Sequence, residues 1–388
     1  MKKYECRRHL GVSIAFCCLW LLLEGCSPRS GGLPEGLLDT PELHAFNGFR
    51  LIKKERLADA QREFEHALRL KPGYSPALRG MGLVQGMKGN FVSAFESMEQ
   101  AKNSSKKVED EALAYVGIMQ LHGMKRGQAW LDRVEENFAQ ASSFARDLPE
   151  AYYHMGMAYK YAYRFAESEA AFEHVLKINE SLQDEAEEQL ERVRKIERAT
   201  PRTELGRGIA VLDRITRADA AALLIHEVRV EIIGKGDQQS GRGDAGAAAR
   251  GPSRKGSHPL PLDVMGHPLK GEIERVLQLE IEGLKTFDDG SFGPNEYVTR
   301  ADFAVIVADV IAKKEGDPLL VGRYSGVVSP FKDLRREAAY FNAVMTCTMR
   351  GGIMEGEDGL FDPTGMLSGA DALLIIRKLK RELNIFSG

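Results

Sequence analysis

The residues best suited by type and spacing to bind a ligand are Thr299, Arg300 and Asp302, in the sequence VTRAD. Thr299 is a good helix N-cap, and Asp302 stands three positions later, where its carboxylate can bond back to the N-cap backbone. The N–H groups of a helix's first turn and a planar guanidinium both attract carboxylate or phosphate. The spacing therefore predicts an anion site at the start of a helix that continues through 303–311.

This box occurs in three versions along the C-terminal half. A full copy, ITRAD, contains Thr216 and Arg217 and precedes an apolar helical stretch at 220–230. The last copy reads LSGAD and precedes another such stretch at 372–379. Gly369 replaces the arginine there and has no side chain to hold an anion, so we expect this copy to have lost the site.

A turn of nearly constant sequence stands ahead of the second and third boxes, at the same distance from each. It reads DGSFGP at 289–294 and DGLFDP at 358–363. In such a turn glycine supplies an unusual backbone angle and proline ends the excursion. Asp263 and Asp333 lie upstream, and helices are predicted between each aspartate and its turn, at 268–279 and 337–345. The first box has no such turn.

These features together resemble the S-layer homology domain. The resemblance implies a mostly helical, three-lobed module over 199–388, with grooves between the lobes that bind peptidoglycan or an acidic cell-wall glycan. Carried over by position, the implied glycan-binding residues are Arg217, Arg300, Asp263, Asp333, Thr216 and Thr299. Two alternatives stay open: the copies only build a rigid or protein-docking module, or the arginines only form salt bridges.

Residues 41–182 carry a different repeat. The spacing between Gly48 and Gly82 is the same as that between Phe64 and Met98. This resembles the tetratricopeptide repeat, a pair of helices, and implies a stack whose concave face binds a protein partner. The predicted units are 41–74, 75–108, 109–148 and 149–182, and an amphipathic helix at 183–198 caps the stack. The fold class is therefore mainly α: a tetratricopeptide-type array over 41–198, followed by the three-lobed module.

The N-terminus is predicted to be an export signal. Lysines and arginines precede an apolar run at 10–23, which is too short to span a bilayer comfortably. The run ends in LEGC, which resembles the lipobox of bacterial lipoproteins, although Glu24 departs from the small residue preferred there. The resemblance implies cleavage of the signal peptide 1–25, lipidation of Cys26 and a linker over 26–40. An ordinary signal peptide with a chance cysteine is the alternative.

Composition limits the remaining classes of function. A net charge of −3 disfavours nucleic acid as a partner. The cysteines are concentrated at the N-terminus, up to Cys26, except for Cys347, which is expected to be buried in an apolar helix. The nine histidines are scattered, so neither a metal site nor a cofactor nor an enzyme is predicted. Residues 234–258 are rich in glycine and serine and should form a disordered insertion.

These interpretations favour an envelope lipoprotein, anchored in the outer membrane and facing the periplasm. The anchor would attach it to the membrane, the C-terminal module to the wall, and the repeats to a protein partner. The alternative is an accessory lipoprotein for secretion or outer-membrane assembly. In that case the repeats bind a client and the C-terminal module is only structural.

Overall fold

The computed structural model describes residues 39–178, 181–230 and 260–385. The predicted signal peptide 1–25, the lipidation site Cys26, most of the linker and the insertion 234–258 lie outside these ranges. Within them the chain is largely helical and forms isolated β-bridges but no strand. None of the described helices has both the length and the apolar character that a bilayer crossing requires.

The first part of the chain consists of helices in adjacent pairs. They are α1 Pro41–Lys53, α2 Leu57–Leu70, α3 Ser75–Met87, α4 Phe91–Asn103, α5 Val108–Lys125, α6 Trp130–Phe144, α7 Pro149–Tyr161 and α8 Phe165–Ile178, with α9 at Gln183–Ala199. Each of the four predicted units contains two helices, and α1 with α2, α3 with α4 and α7 with α8 pack as adjacent pairs, so the helical repeat array is confirmed. Helices α5 and α6 of the third unit belong to different compact units. Proline opens α1 and α7 at a position where its missing N–H is not needed.

Paired helices approach closely where a glycine of one helix faces a phenylalanine of the next. A Cβ on Gly48 would lie 2.5 Å from Cε1 of Phe64, and one on Gly156 would lie 2.8 Å from Cε1 of Phe172. Both phenylalanines are fully buried. The residues that define the repeat in the sequence are therefore packing residues.

The described residues form two compact units, one ending at Lys125 and the other beginning at Arg126. The predicted boundary at 198/199 falls inside the second unit. The buried face of α9 contacts α8 through Ala186 and Val193, and its last turn, with Ile196 and Ala199, joins the core of the C-terminal module. The predicted amphipathic helix is confirmed, and it continues the array directly into that core.

The C-terminal module is built from short helices. They are α10 Glu204–Ala210, α11 Arg217–Leu223 with a π-helical extension Leu224–Val228, α12 Lys270–Gln278, α13 Arg300–Glu315, α14 Phe341–Met349 and α15 Gly369–Glu382, with 3₁₀ turns at Leu262–Val264 and Pro318–Gly322. The helix predicted at 337–345 begins only at Phe341. Its buried face includes Phe341, Val344 and Met345. Cys347 is fully buried on α14, as predicted, and burial raises the pKa of its thiol.

The first residue of each box is buried, and together these three residues join the copies. The N–H of Ile215 donates to the carbonyl of Leu367 at 2.9 Å, that of Leu367 to Val298 at 3.0 Å, and that of Val298 back to Ile215 at 3.0 Å. This closed ring gives the module an approximate threefold arrangement about one shared core. The first copy takes part fully although it lacks the turn of the others.

Candidate functional site

The predicted capping box at Thr299 is confirmed and recurs in the first copy. The N–H of Asp302 donates to Thr299 Oγ1 at 3.2 Å, and the Thr299 N–H donates back to Asp302 Oδ2 at 3.0 Å. Thr216 and Asp219 make the same exchange at the start of α11. Both threonine side chains, predicted to contact glycan, are thus bonded to the acidic residue of their own box.

The side chain of Arg300 reaches into the turn of the third copy. Its Nε donates to the carbonyl of Phe361 at 2.8 Å, and one terminal nitrogen donates to the carbonyl of Glu355 at 2.7 Å. The guanidinium carbon also lies 4.9 Å from the ring centroid of Phe361, within cation–π range. Arg300 therefore joins the second copy to the third through main-chain acceptors.

Arg217 does the same between the first and second copies, with one more bond. It donates to the carbonyls of Phe292, Gly283 and Lys285 at 2.8, 2.7 and 2.7 Å. The guanidinium is half-buried, and this burial lowers its pKa, although an arginine stays charged at any physiological pH. Each of its three nitrogens therefore donates to a protein carbonyl.

The first-turn N–H groups that we expected to face an anion are also bonded to the next copy. The N–H of Arg217 donates to the carbonyl of Glu296 at 2.8 Å, and that of Arg300 donates to Gly365 at 2.9 Å. The following residues, Ala218 and Ala301, donate to Pro294 and Pro363. These donors are therefore committed to carbonyls of the neighbouring copy, and the anion site expected at the helix start stays a prediction.

Asp263 and Asp333 hold the turns of their own copies. Asp333 accepts from the N–H groups of Phe361 at 2.9 Å and Asp362 at 2.7 Å. Asp263 likewise accepts from Phe292 at 3.0 Å and Gly293 at 2.7 Å. Burial works against ionisation of Asp333, but the backbone donors outweigh it and hold the pKa of this carboxyl below its ordinary value.

In each turn, the main chain of one residue is hydrogen-bonded to both predicted side chains, its N–H to the aspartate and its carbonyl to the arginine. Asp333 accepts the N–H of Phe361 while Arg300 donates to the carbonyl of the same residue. Asp263 and Arg217 hold Phe292 in the same way. The structure brings each predicted arginine together with the predicted aspartate of the next copy. The observed contacts of both are structural, and their role as glycan ligands stays a prediction.

The third box differs because the first copy offers no turn to receive an arginine. The N–H of Gly369 donates to the carbonyl of Leu212 at 3.0 Å, and a Cβ on Gly369 would overlap the carbonyl of Ile209 at the end of α10. Helix α10 therefore fills the space that a turn and its arginine occupy in the other copies. The box that lacks an arginine therefore faces the copy that lacks a turn to receive one.

A basic pocket that sequence reasoning missed lies where the first and third copies meet. It encloses about 230 Å³, and its charged lining residues are Arg202, Glu227, Arg377, Lys380 and Arg381. Burial and the nearby Arg202 lower the pKa of Lys380, whose Nζ donates to the carbonyl of Glu227 at 2.9 Å. The basic run RKLKR at 377–381 was the available signal for this pocket.

A second concavity lies beside Asp333. It encloses about 660 Å³ and is lined by Arg335, Glu337, Tyr340 and Thr364, among others. Its lining mixes acidic and basic side chains, whereas cations predominate in the basic pocket. The basic pocket is therefore the better place in the described module for an anionic group.

Comparison with known families supports the C-terminal half of the sequence interpretation. The model of the S-layer homology domain matches residues 265–304 and 330–373. These segments are the second and third copies, and the match associates the C-terminal part of the chain with the cell envelope. No curated protein matches the chain significantly.

Proposed function

We propose that this protein is a non-enzymatic envelope lipoprotein that holds acidic cell-wall glycan or peptidoglycan through residues 199–388. A lipid on Cys26 would anchor it in the outer membrane, facing the periplasm. The tetratricopeptide-type array would bind a protein partner on its concave face. The observation that carries the proposal is the S-layer homology match over two copies that both retain the aspartate and the turn, each turn held by an arginine.

The basic pocket is the proposed contact for an acidic group of the glycan. Four cationic side chains line it, and the carboxylate of Glu227 in its lining accepts hydrogen bonds from the N–H and hydroxyl of Thr203. Carboxylate or phosphate suits a cluster of guanidinium groups, because these donate in pairs to planar or tetrahedral oxyanions. Arg381 is exposed and Arg377 is partly exposed, so a ligand can reach both.

Pelleting with isolated sacculi tests this proposal on the full-length chain. The protein should co-sediment with sacculi, and the double change Arg377→Gln with Arg381→Gln should reduce the bound fraction at least fivefold. A matched control, Arg62→Gln with Arg133→Gln, alters the net charge equally at two exposed arginines and should pellet like the original protein.

The outcomes distinguish whether the protein binds the wall from where on the module the wall is bound. No co-sedimentation of the unchanged protein would overturn wall binding. If the protein co-sediments and the Arg377 and Arg381 changes do not weaken this, the basic pocket is not the glycan contact. The concavity beside Asp333 would then be the next candidate. We also expect Arg300→Ala to pellet less, but its unfolding must be measured in parallel because Arg300 holds a turn.

The alternative is an accessory lipoprotein for secretion or outer-membrane assembly, with an array that binds a client. Arg217 and Arg300 both donate to main-chain carbonyls. This favours the alternative, because a purely structural module requires only such bonds from its arginines. Absence of sacculus binding, together with a cross-linked client lost on disrupting the array over 41–182, would support this alternative.

A further inference from the structure

Two histidines and an aspartate that are separated in sequence meet at the start of the helical array. Asp39 immediately precedes the N-cap of α1, His44 lies on α1 and His66 lies on α2. The Oδ1 atom of Asp39 is 2.7 Å from Nε2 of His44 and 3.0 Å from Nε2 of His66. All three side chains are largely shielded, the aspartate being 11% exposed and the histidines 17% and 27%.

The orientation of both rings is set by their neighbours. The imidazoles stack with centroids 4.1 Å apart, and the Nε2 atoms of both rings lie beside the same oxygen of Asp39. Nδ1 of His44 lies 2.7 Å from Oε2 of Glu63. A carboxylate at this ring nitrogen keeps a proton on Nδ1, an arrangement that orients metal-bound histidines in general. In the metal-free structure Nε2 also donates to Asp39, and zinc at Nε2 would displace that second proton.

We propose that Asp39, His44 and His66 form a binding site for a first-row divalent transition metal, with Zn²⁺ as the preferred ion. Two imidazoles and one carboxylate are a donor set that zinc accepts, with a fourth position left to water. Ligand atoms bound tetrahedrally to zinc at its usual bond lengths are about 3.3 Å apart. The observed separations of 2.7 and 3.0 Å need to widen by only a few tenths of an ångström.

A contact of His66 must also change when the metal enters. A terminal nitrogen of Arg69 lies 3.1 Å from Nδ1 of His66. Arginine can only donate, so this Nδ1 accepts and the proton of a neutral His66 sits on Nε2. Zinc at Nε2 requires that proton to move to Nδ1, and Arg69 must then turn away. Its side chain is exposed, so the movement meets little resistance.

Metal binding would tie the beginning of α1 to the middle of α2. Asp39 stands directly before the N-cap of α1, so the metal would fix the chain where the first repeat begins. This consequence does not depend on what residues 199–388 bind. The proposed site can therefore be tested separately from the proposed wall-binding function.

Calorimetric titration of the metal-free full-length protein with Zn²⁺ alone is the direct test. We expect one equivalent bound at the cluster, with affinity at least tenfold lower for Asp39→Asn and for His66→Gln. The control His174→Gln alters a histidine in the other compact unit and should bind like the original protein. Arg69→Gln removes the competing donor and should bind zinc at least as tightly as the original.

Co²⁺ provides a second readout that reports geometry. Bound in place of zinc, it should give the intense visible absorption of a four-coordinate site, and His66→Gln should abolish it. Circular dichroism of each variant without metal verifies folding, and Asp39→Asn keeps the side-chain shape in case His66→Gln misfolds. Zinc binding that is absent, or that neither variant weakens, would overturn the proposal.

Discussion

Gly369 lies directly against the main-chain carbonyl of Ile209, so closely that no Cβ fits between them. This contact explains why the third box has a glycine where the others have an arginine. In the first two boxes the arginine enters a turn of the following copy. The copy that follows Gly369 around the ring is the first, where α10 takes the place of the turn.

Restoring the arginine should therefore destabilise the protein. Gly369→Arg and Gly369→Ala both place a Cβ on the Ile209 carbonyl, and we expect each to lower the free energy of unfolding by about 1–3 kcal/mol. Denaturant unfolding of the full-length chain measures this loss. Gly271→Ala is the control, because a Cβ there meets nothing within 4 Å. Gly369→Arg with unchanged stability and stronger glycan binding would contradict this explanation.

Arg217→Lys separates the shape of the side chain from its charge. An ammonium cannot reach the carbonyls of Phe292, Gly283 and Lys285 together, so some are left without their donor. Two of these three bonds are part-buried and the one to Lys285 is exposed, so unmet acceptors predict a loss of about 1 kcal/mol in the free energy of unfolding. Hydrogen exchange should also become faster in the turn at 283–294. Full stability combined with loss of sacculus binding would instead assign Arg217 to the ligand.

Asp333→Asn tests how much the Asp333 carboxylate stabilises the turn of the third copy. Asparagine keeps the shape but loses the charge that receives two backbone N–H groups, so we expect about 1 kcal/mol less stability at pH 7. The folded pKa of Asp333 lies below its ordinary value of 3.8. The unfolded chain therefore takes up its proton first on acidification, and the stabilisation is lost as pH falls through the folded pKa.

Unfolding curves recorded at neutral and acidic pH measure the Asp333 effect. The original protein and Asp333→Asn should differ above about pH 4 and converge at lower pH. A difference that persists unchanged in acid would show that the charge of Asp333 does not contribute.

Lys160→Met should stabilise the array. Lys160 is only 1% exposed, its Nζ donates to Gln189 Oε1 at 2.7 Å, and burial is the main reason that its pKa falls from 10.5 to about 8. Keeping this amine charged at pH 7 opposes folding by up to about 3 kcal/mol, since each pKa unit corresponds to about 1.4 kcal/mol. Loss of the bond to Gln189 offsets part of the gain, so we expect about 1–2 kcal/mol.

The pH dependence of Lys160→Met distinguishes this cause from better packing. Between pH 8 and 10.5 the unfolded state holds the Lys160 proton and the folded state does not, so Lys160 makes stability rise with pH there. The methionine variant should lose this rise. Thermal unfolding at pH 7 and pH 10 measures it, with exposed Lys177→Met as the control that changes neither the stability nor its pH dependence.

Much of the fold could be predicted from local patterns. The repeat spacing located the helices of all four units, and the VTRAD pattern located the capping box at Thr299, because both depend on residues close together in the chain. The same box suggested an anion site, and this stays a prediction. The carbonyls that occupy its donors, such as that of Gly365, belong to the following copy, and no local pattern reports them.

The sequence by itself determined most of the helical segments, where the two kinds of repeat lie and which box lacks its arginine. Those properties follow from helical periodicity, capping and exact spacing, all of which act over a few residues. Only the tertiary structure decided what the arginines touch, why Gly369 must stay a glycine and that His44 and His66 share one aspartate. These depend on which parts of the chain become neighbours on folding, because every one of these contacts joins residues of different helices or different copies.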